Sequence, residues 1–215
     1  MNIPNMLLQM AKGSLVTIQI FAVTLACSVP FGFLLTLAYI SKNKVLKKVT
    51  GFYILLMRGT PLLLQMFFVY YGLPFIPGIG TYMRFDPFTA CCVAFSLNYA
   101  AYFAEIFRGG LLAVDKGQFE AAKVLGLNKF HTYTKIVIPQ MVRVSLPAIS
   151  NETIILVKDT ALVTAIALRE LLHVTKGIVN TTANIMPYAV AAVFYLAMSY
   201  VLTVLFAKLE KKFAF

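Results

Sequence analysis

Residues 13–41, GSLVTIQIFAVTLACSVPFGFLLTLAYIS, contain no Asp, Glu, Lys or Arg. About 20 predominantly apolar residues suffice to cross a bilayer, so this run is long enough to span one, and it decides the fold. Gly59–Met83 and Gly177–Ala207 are equally free of charge. Composition agrees: 60% of residues are hydrophobic and 13% charged, against roughly 25% charged in soluble domains, and the mean hydropathy is +0.82. The chain is therefore expected to be an all-α, polytopic membrane protein. Five spans are expected, at about 14–40, 52–73, 87–107, 137–165 and 187–207, in one transmembrane domain over 1–215.

The net charge of +11 orients these spans. With the loop at 120–139 placed in the cytoplasm, the inner segments hold Lys42, Lys44, Lys47, Lys48, Arg108, Lys116, Lys123, Lys129, Lys135, Lys208, Lys211 and Lys212. The outer segments hold only Lys12, Arg84, Arg169 and Lys176, while Arg58, Arg143 and Lys158 fall within spans. Lys and Arg concentrate on cytoplasmic loops, so the amino terminus is expected outside and the carboxyl terminus inside. The basic charge needs no nucleic acid to explain it. The first apolar run is too long for a cleaved signal peptide, whose core has about 7–15 residues, and reads as a retained span.

Several chemistries lack their residues. Cys27, Cys91 and Cys92 lie in apolar runs without metal or disulfide spacing and are expected as small buried side chains. His131 and His173 are isolated. The phosphate-cradling GxxxxGK[ST] loop is absent, as are HExxH and GxSxG, so any ATP hydrolysis belongs to another polypeptide.

Glu120-Ala121-Ala122-Lys123-Val124-Leu125-Gly126, followed by Pro139, interrupts the apolar pattern. Asp115 to about Leu127 is expected to form an amphipathic helix with Glu120 and Lys123 towards the cytoplasm. Ala121 and Ala122 are small enough for a partner to approach the backbone, and Gly126 can adopt the positive φ that ends a helix. The segment, about 110–136 in all, resembles the loop by which membrane subunits of ABC importers dock on their ATPase.

Other motifs accompany it in order: Arg58-Gly59-Thr60-Pro61-Leu62-Leu63-Leu64-Gln65, Ala104-Glu105-Ile106-Phe107-Arg108-Gly109-Gly110, Lys116-Gly117-Gln118, Leu146-Pro147, Asn151-Glu152 and Leu156-Val157-Lys158-Asp159-Thr160-Ala161-Leu162. Together, from about residue 13 to 210, the chain resembles the polar amino acid permeases of ABC importers, the group of the histidine, glutamine, arginine and cystine systems. Ala161 stands where many relatives carry serine. The resemblance implies the type I importer permease fold and a dimer of identical or related permease subunits. It also implies cytoplasmic ATPases that bind ATP and Mg, and an extracytoplasmic binding protein that delivers substrate. No cofactor is expected on this chain.

Thr60-Pro61 has the form of a helix start, a hydroxyl cap followed by proline at the first helical position. A local bend that fits a neighbouring helix is expected there, rather than a break that aims backbone groups into a cavity. Glu152 and Asp159 are seven residues apart, close to two helical turns, so they share one face about 10 Å apart along the axis. A carboxylate within a membrane usually faces a cavity or a partner, and an amino acid supplies an ammonium group. Lys158 lies about 100° away round the helix. Asn98 offers a neutral donor and acceptor, to substrate or to a neighbouring helix, and Glu105 is placed to pair with Arg108. Asn98, Glu152 and Asp159 are the candidate substrate contacts; Glu120, Ala121, Ala122 and Gly126 are the candidate ATPase-coupling residues. The competing functions are an ion-coupled secondary carrier or channel using the same carboxylates, and an intramembrane enzyme, for which no nucleophile or metal constellation is present.

The orientation is checked with single cysteines on a background lacking the three native ones. An impermeant reagent is expected to label position 78 in intact cells, and positions 46 and 118 only once the inner face is opened. The opposite pattern inverts the topology.

Overall fold

The computed structural model describes residues 3–213 apart from residue 79. Among them the chain is helical, without strands. Its α-helices are α1 (Ile3–Tyr39), α2 (Lys44–Gly59), α3 (Leu62–Phe67), α4 (Pro87–Leu112), α5 (Lys116–Val124), α6 (Lys129–His131), α7 (Ile138–Asp159), α8 (Leu171–Thr182) and α9 (Met186–Phe213). A π-helical turn, Phe68–Gly72, and a 3₁₀ turn, Leu73–Phe75, prolong α3; a second π-helical turn, Thr132–Val137, leads into α7, and a 3₁₀ stretch, Thr160–Ile166, leaves it.

The central helix is α4. Asp86 caps it by accepting from the Phe88 and Thr89 amides at 3.0 and 3.2 Å, and Pro87 follows at the position where its missing N–H is harmless. The Thr89 hydroxyl and amide hold the Asp86 carboxyl below its ordinary value. Phe95, Tyr99, Phe103 and Phe107 recur every four residues and form one buried stripe, with neighbouring rings about 6.4–6.5 Å apart.

Against α4 lies α1, through a seam of small residues. A Cβ on Gly32 would stand 2.7 Å from Phe103 Cβ and 2.8 Å from the Ala100 carbonyl oxygen, so any side chain there would force the helices apart. One turn on, the Thr36 hydroxyl bonds the Ala104 carbonyl at 3.0 Å. Close packing of small residues is what holds helices together in lipid, which gives apolar side chains no reason to cluster. On the other flanks, Tyr53 of α2 donates to the Leu97 carbonyl at 2.7 Å, and Ser150 of α7 donates to Glu210 of α9 at 2.7 Å.

Among the described residues three helices, α1, α4 and α9, are long and apolar enough to cross a membrane; the count becomes four if α2 and the Leu62–Phe75 segment are one bent span. The expected count of five is thus not reached on length and composition. The difference lies in α7, whose 22 residues extend for about 33 Å but carry Arg143, Glu152, Lys158 and Asp159. Nor is the expected span at 52–73 one helix, since Lys44–Gly59 and Leu62–Phe75 are bent by 106° at the break between them. Cys91 and Cys92 are buried as expected, but Cys27 is exposed: an apolar run does not say which of its faces meets lipid.

One element is absent from the sequence reading. Helix α8 packs against α1 and α9, with Leu171 buried beside Met6, Met10 and Ala191. Glu170, its cap, is wholly buried. One carboxylate oxygen accepts from the His173 amide and the Thr164 hydroxyl, both at 2.7 Å. The other accepts from Tyr195 at 2.9 Å and from Thr17 at 3.4 Å. Four segments of the chain thus converge on one carboxylate through neutral donors.

Removing this acceptor strands several buried donors, at about 1–3 kcal/mol each. Glu170→Ala is expected to lower the stability of the purified protein by at least about 3 kcal/mol, and Glu170→Gln, which keeps an acceptor oxygen, by less than half as much. Thermal melting in detergent checks this; equal losses would remove the hydrogen-bond explanation.

Candidate functional site

The site begins with a missing donor. In a continuous helix the amide of residue 61 would bond the carbonyl of Met57, but Pro61 has no N–H. Helix α2 therefore ends with orphaned carbonyls, and side chains take them up. The Thr60 hydroxyl turns back to the Leu56 carbonyl at 2.8 Å. Gln65 Nε2 donates to the Met57 carbonyl at 2.9 Å and to Thr60 Oγ1 at 2.8 Å. Asn98 Nδ2 of α4 donates to the same Met57 carbonyl at 2.8 Å and to Gln65 Oε1 at 3.0 Å. Thr60 thus closes the end of α2 and does not cap α3, for which Pro61 is the cap residue without a side-chain bond. In place of the expected local bend stands a break of 106°, fixed by a polar clamp.

Beside the break lies a cavity of about 520 Å³, lined by Arg58 to Leu62, Asn98, Tyr99, Tyr102, Glu152, Ile155 and Asp159. Asn98, Glu152 and Asp159 all reach it, the two carboxylates from one face of α7 as their spacing requires. Their surroundings differ. The Tyr99 hydroxyl donates to Asp159 Oδ2 at 2.7 Å, whereas Glu152 accepts no hydrogen bond among the described residues. Asn98 is buried and its amide N–H groups serve the clamp, so its first task is to hold the cavity's wall. Arg58 brings a positive charge to that wall, with its guanidinium 5.3 Å from the Tyr102 ring centre and 3.7 Å from Glu105. Glu105 also pairs with Arg108 at 2.6 Å, the ion pair expected from the sequence. Among the described residues no cluster of His, Cys, Asp and Glu could hold a metal ion.

The loop at 110–136 forms a separate cluster. Asp115 caps α5 through the Gly117 amide at 2.6 Å. Gly126 has φ +74°, its amide bonds the Lys123 carbonyl at 3.1 Å, and the Leu127 amide bonds the Ala122 carbonyl at 3.0 Å. These paired bonds are the usual glycine-terminated helix end, as expected for Gly126. Glu120 and Ala121 are exposed, but Ala122 is buried and faces its own chain. Only Ala121 of the two can admit a partner's close approach. Val124, Leu125 and Phe130 are 86%, 75% and 72% exposed.

Residues 28–215 match the family described as the binding-protein-dependent transport system inner membrane component. A Rickettsia conorii protein named for a glutamine transport system permease is 35% identical over 202 residues, covering 94% of this chain and 91% of its own length. An octopine transport system permease protein of Rhizobium radiobacter is 37% identical over 199 residues, covering 90% and 80%. The chain belongs to the polar amino acid ABC permease family. A crystal structure of an amino acid ABC transporter with histidines superposes with a TM-score of 0.86 at 33% identity, covering 95% of this chain and 94% of that one. The protein is accordingly the membrane permease component of an amino acid ABC transporter, with ATP hydrolysis on a separate subunit.

For this permease, no local sequence pattern marks Gln65, Tyr99, Tyr102 or Arg58 as site residues. Arg58 and Gln65 belong to the Arg58–Gln65 motif, and Pro61 is the available signal: a proline opening a helix leaves a carbonyl four residues back that some side chain must meet.

The clamp is tested by a double-mutant cycle. Gln65→Ala and Asn98→Ala are each expected to cost about 1–3 kcal/mol. The double variant should fall short of their sum by at least about 0.5 kcal/mol, because the residues share a carbonyl and bond each other. Additive losses in melting experiments would show that the two act separately.

Proposed function

We propose that this permease carries amino acids with more positive than negative charge, or with two ammonium groups, through the cavity beside the break in α2. Basic amino acids and cystine fit best, and glutamine fits less closely. The observation that carries the proposal is the pair of carboxylates on one face of α7 in a single cavity, Glu152 without a hydrogen-bond donor among the described residues. Arg58 is one cation against two carboxylates in this cavity, and it also lies 3.7 Å from Glu105. The family supports amino acids as the substrate class, and the relatives named for glutamine and octopine leave the choice among them to the cavity.

In this proposal α7 is a span despite its charges, because Glu152 and Asp159 face the cavity, which brings the number of crossings to five. The amino terminus lies outside and the carboxyl terminus inside. A second permease subunit closes the pathway, and an extracytoplasmic binding protein delivers the amino acid. Cytoplasmic ATPases, which hold ATP and Mg, dock on residues 110–136. Glu120, Ala121 and Gly126 shape that contact, Ala122 anchors α5 from within, and the exposed Val124, Leu125 and Phe130 supply apolar area for it to cover. A half-helix ending at a cavity is a common way for transporters to build a substrate site.

At an effective dielectric near 20, unit charges about 4 Å apart interact by roughly 4 kcal/mol before desolvation is subtracted. Retaining a third of that makes each carboxylate worth about tenfold in affinity. Glu152→Gln and Asp159→Asn are therefore each expected to weaken uptake of a cationic amino acid about tenfold, with assembly and basal ATP hydrolysis intact. Uptake competition across the amino acids, with the binding protein saturated, is the measurement. Unchanged specificity in both variants would make these carboxylates structural.

A further inference from the structure

The first acidic residue of the chain is Asp86. Before it, Lys42, Lys44, Lys47 and Lys48 crowd the turn into α2, and all are exposed. Among the described residues none of their ammonium groups has an ion-pair or hydrogen-bond partner. The other lysine-rich helix end, Lys208, Lys211 and Lys212 of α9, has Glu210 among them; the start of α2 has no such acid. Asn43 fixes that start by accepting from the Val45 and Leu46 amides at 3.0 and 3.2 Å. Beside and beyond the lysines, α2 turns an apolar face outward. Val45, Val49, Phe52, Leu55 and Leu56 are 45–72% exposed, and their spacing of three to four residues makes one stripe of them. Leu55 lies seven residues beyond Lys48, so the two share a side of the helix about 10 Å apart along the axis. Cationic heads and an apolar flank thus follow one another along α2 as phosphate and chains do along a phospholipid.

We infer that this end of α2 binds an anionic phospholipid, its phosphate held by Lys44, Lys47 and Lys48 and an acyl chain laid along Val49, Phe52 and Leu55. Three cations without an acid call for net negative charge, and a zwitterionic lipid brings a cation of its own. A second copy of the chain presents the same lysines, so a two-fold contact here would set like charges together. A soluble anion would leave the apolar stripe uncovered. The dimensions also agree: half of a bilayer core is about 15 Å, and Lys44 to Leu55 is about 17 Å along the axis. Helix α2 is a single element of 16 residues, and its far end supplies Arg58 and Gly59 to the cavity beside the break. A lipid fixed at the first turn therefore sets the depth and tilt of that wall. The inference rests on the proposed placement of residues 42–48 at the inner membrane surface.

The test uses the whole transporter, permease with its ATPases, in nanodiscs of phosphatidylcholine with a minor fraction of phosphatidylglycerol. Retained phosphatidylglycerol is counted by native mass spectrometry. A basic residue near an anionic surface is worth on the order of 1 kcal/mol, about fivefold in affinity. Lys44→Gln with Lys48→Gln is therefore expected to reduce retention about 30-fold, whereas Lys44→Arg with Lys48→Arg keeps it within about twofold. Lys211→Gln with Lys212→Gln removes the same charge from the end of α9 and is expected to leave most of the lipid in place. Equal retention by wild type and the Lys44/Lys48 glutamine variant overturns the inference. An equal loss in the α9 control would mark diffuse attraction to the surface, and also overturns it. Phe52→Ala with Leu55→Ala shortens the apolar flank and is expected to lower retention at least about fivefold; unchanged retention would leave a headgroup without its chain, and overturns a lipid as occupant. In a further arm, glycerol phosphate is titrated into the same discs. No displacement is expected, and displacement would assign the lysines to a soluble anion instead. Amino acid-stimulated ATP hydrolysis in the same discs reports separately on the proposed transport function, so each can fail without the other.

Discussion

The carbonyl of Met57 is the constraint on which the cavity depends. Pro61 denies it a helical partner, and an unmet carbonyl in a membrane interior is expensive. Asn98 and Gln65 both answer it, and in doing so they dock the broken end of α2 onto α4 at the level of Tyr99 and Tyr102. Tyr99 in turn bonds Asp159. One missing N–H thus places groups from three helices around a common space. The polar atoms that make the break tolerable are the same ones that form its wall.

This dependence explains what could be read in advance. The spans α1, α4 and α9 are visible as charge-free or nearly charge-free runs, because lipid selects composition directly. Glu152 and Asp159 share a face through helical period alone. Gly126 follows from the left-handed conformation that a helix end requires. The clamp does not follow, because Asn98 lies 41 residues from the carbonyl that it meets, and local pattern carries no information over that distance. The same limit applies to Thr60, whose hydroxyl had two possible directions until its neighbours were placed. Ala122 was legible as small but not as buried, since small residues serve a partner's approach and internal packing equally well.

Helix α8 was missed for a different reason. It is 12 residues long, too short to span, and its Thr, Lys and His residues look like an outer loop. Its organising group is Glu170, whose four donors come from α1, the 3₁₀ stretch, α8 and α9. A buried carboxylate met entirely by neutral donors leaves no opposite charge for a sequence pattern to reveal.

Glu105 has a consequence beyond its ion pairs. It is not among the residues lining the cavity beside the break, yet it answers the guanidinium of Arg58, which is. One carboxylate faces two arginines, so its presence decides how much positive potential the wall shows to whatever enters. The charge balance of the compartment is tuned from behind its wall, by a residue outside its lining. In the proposed route, selectivity by charge can therefore drift through substitution at a position outside the cavity's lining.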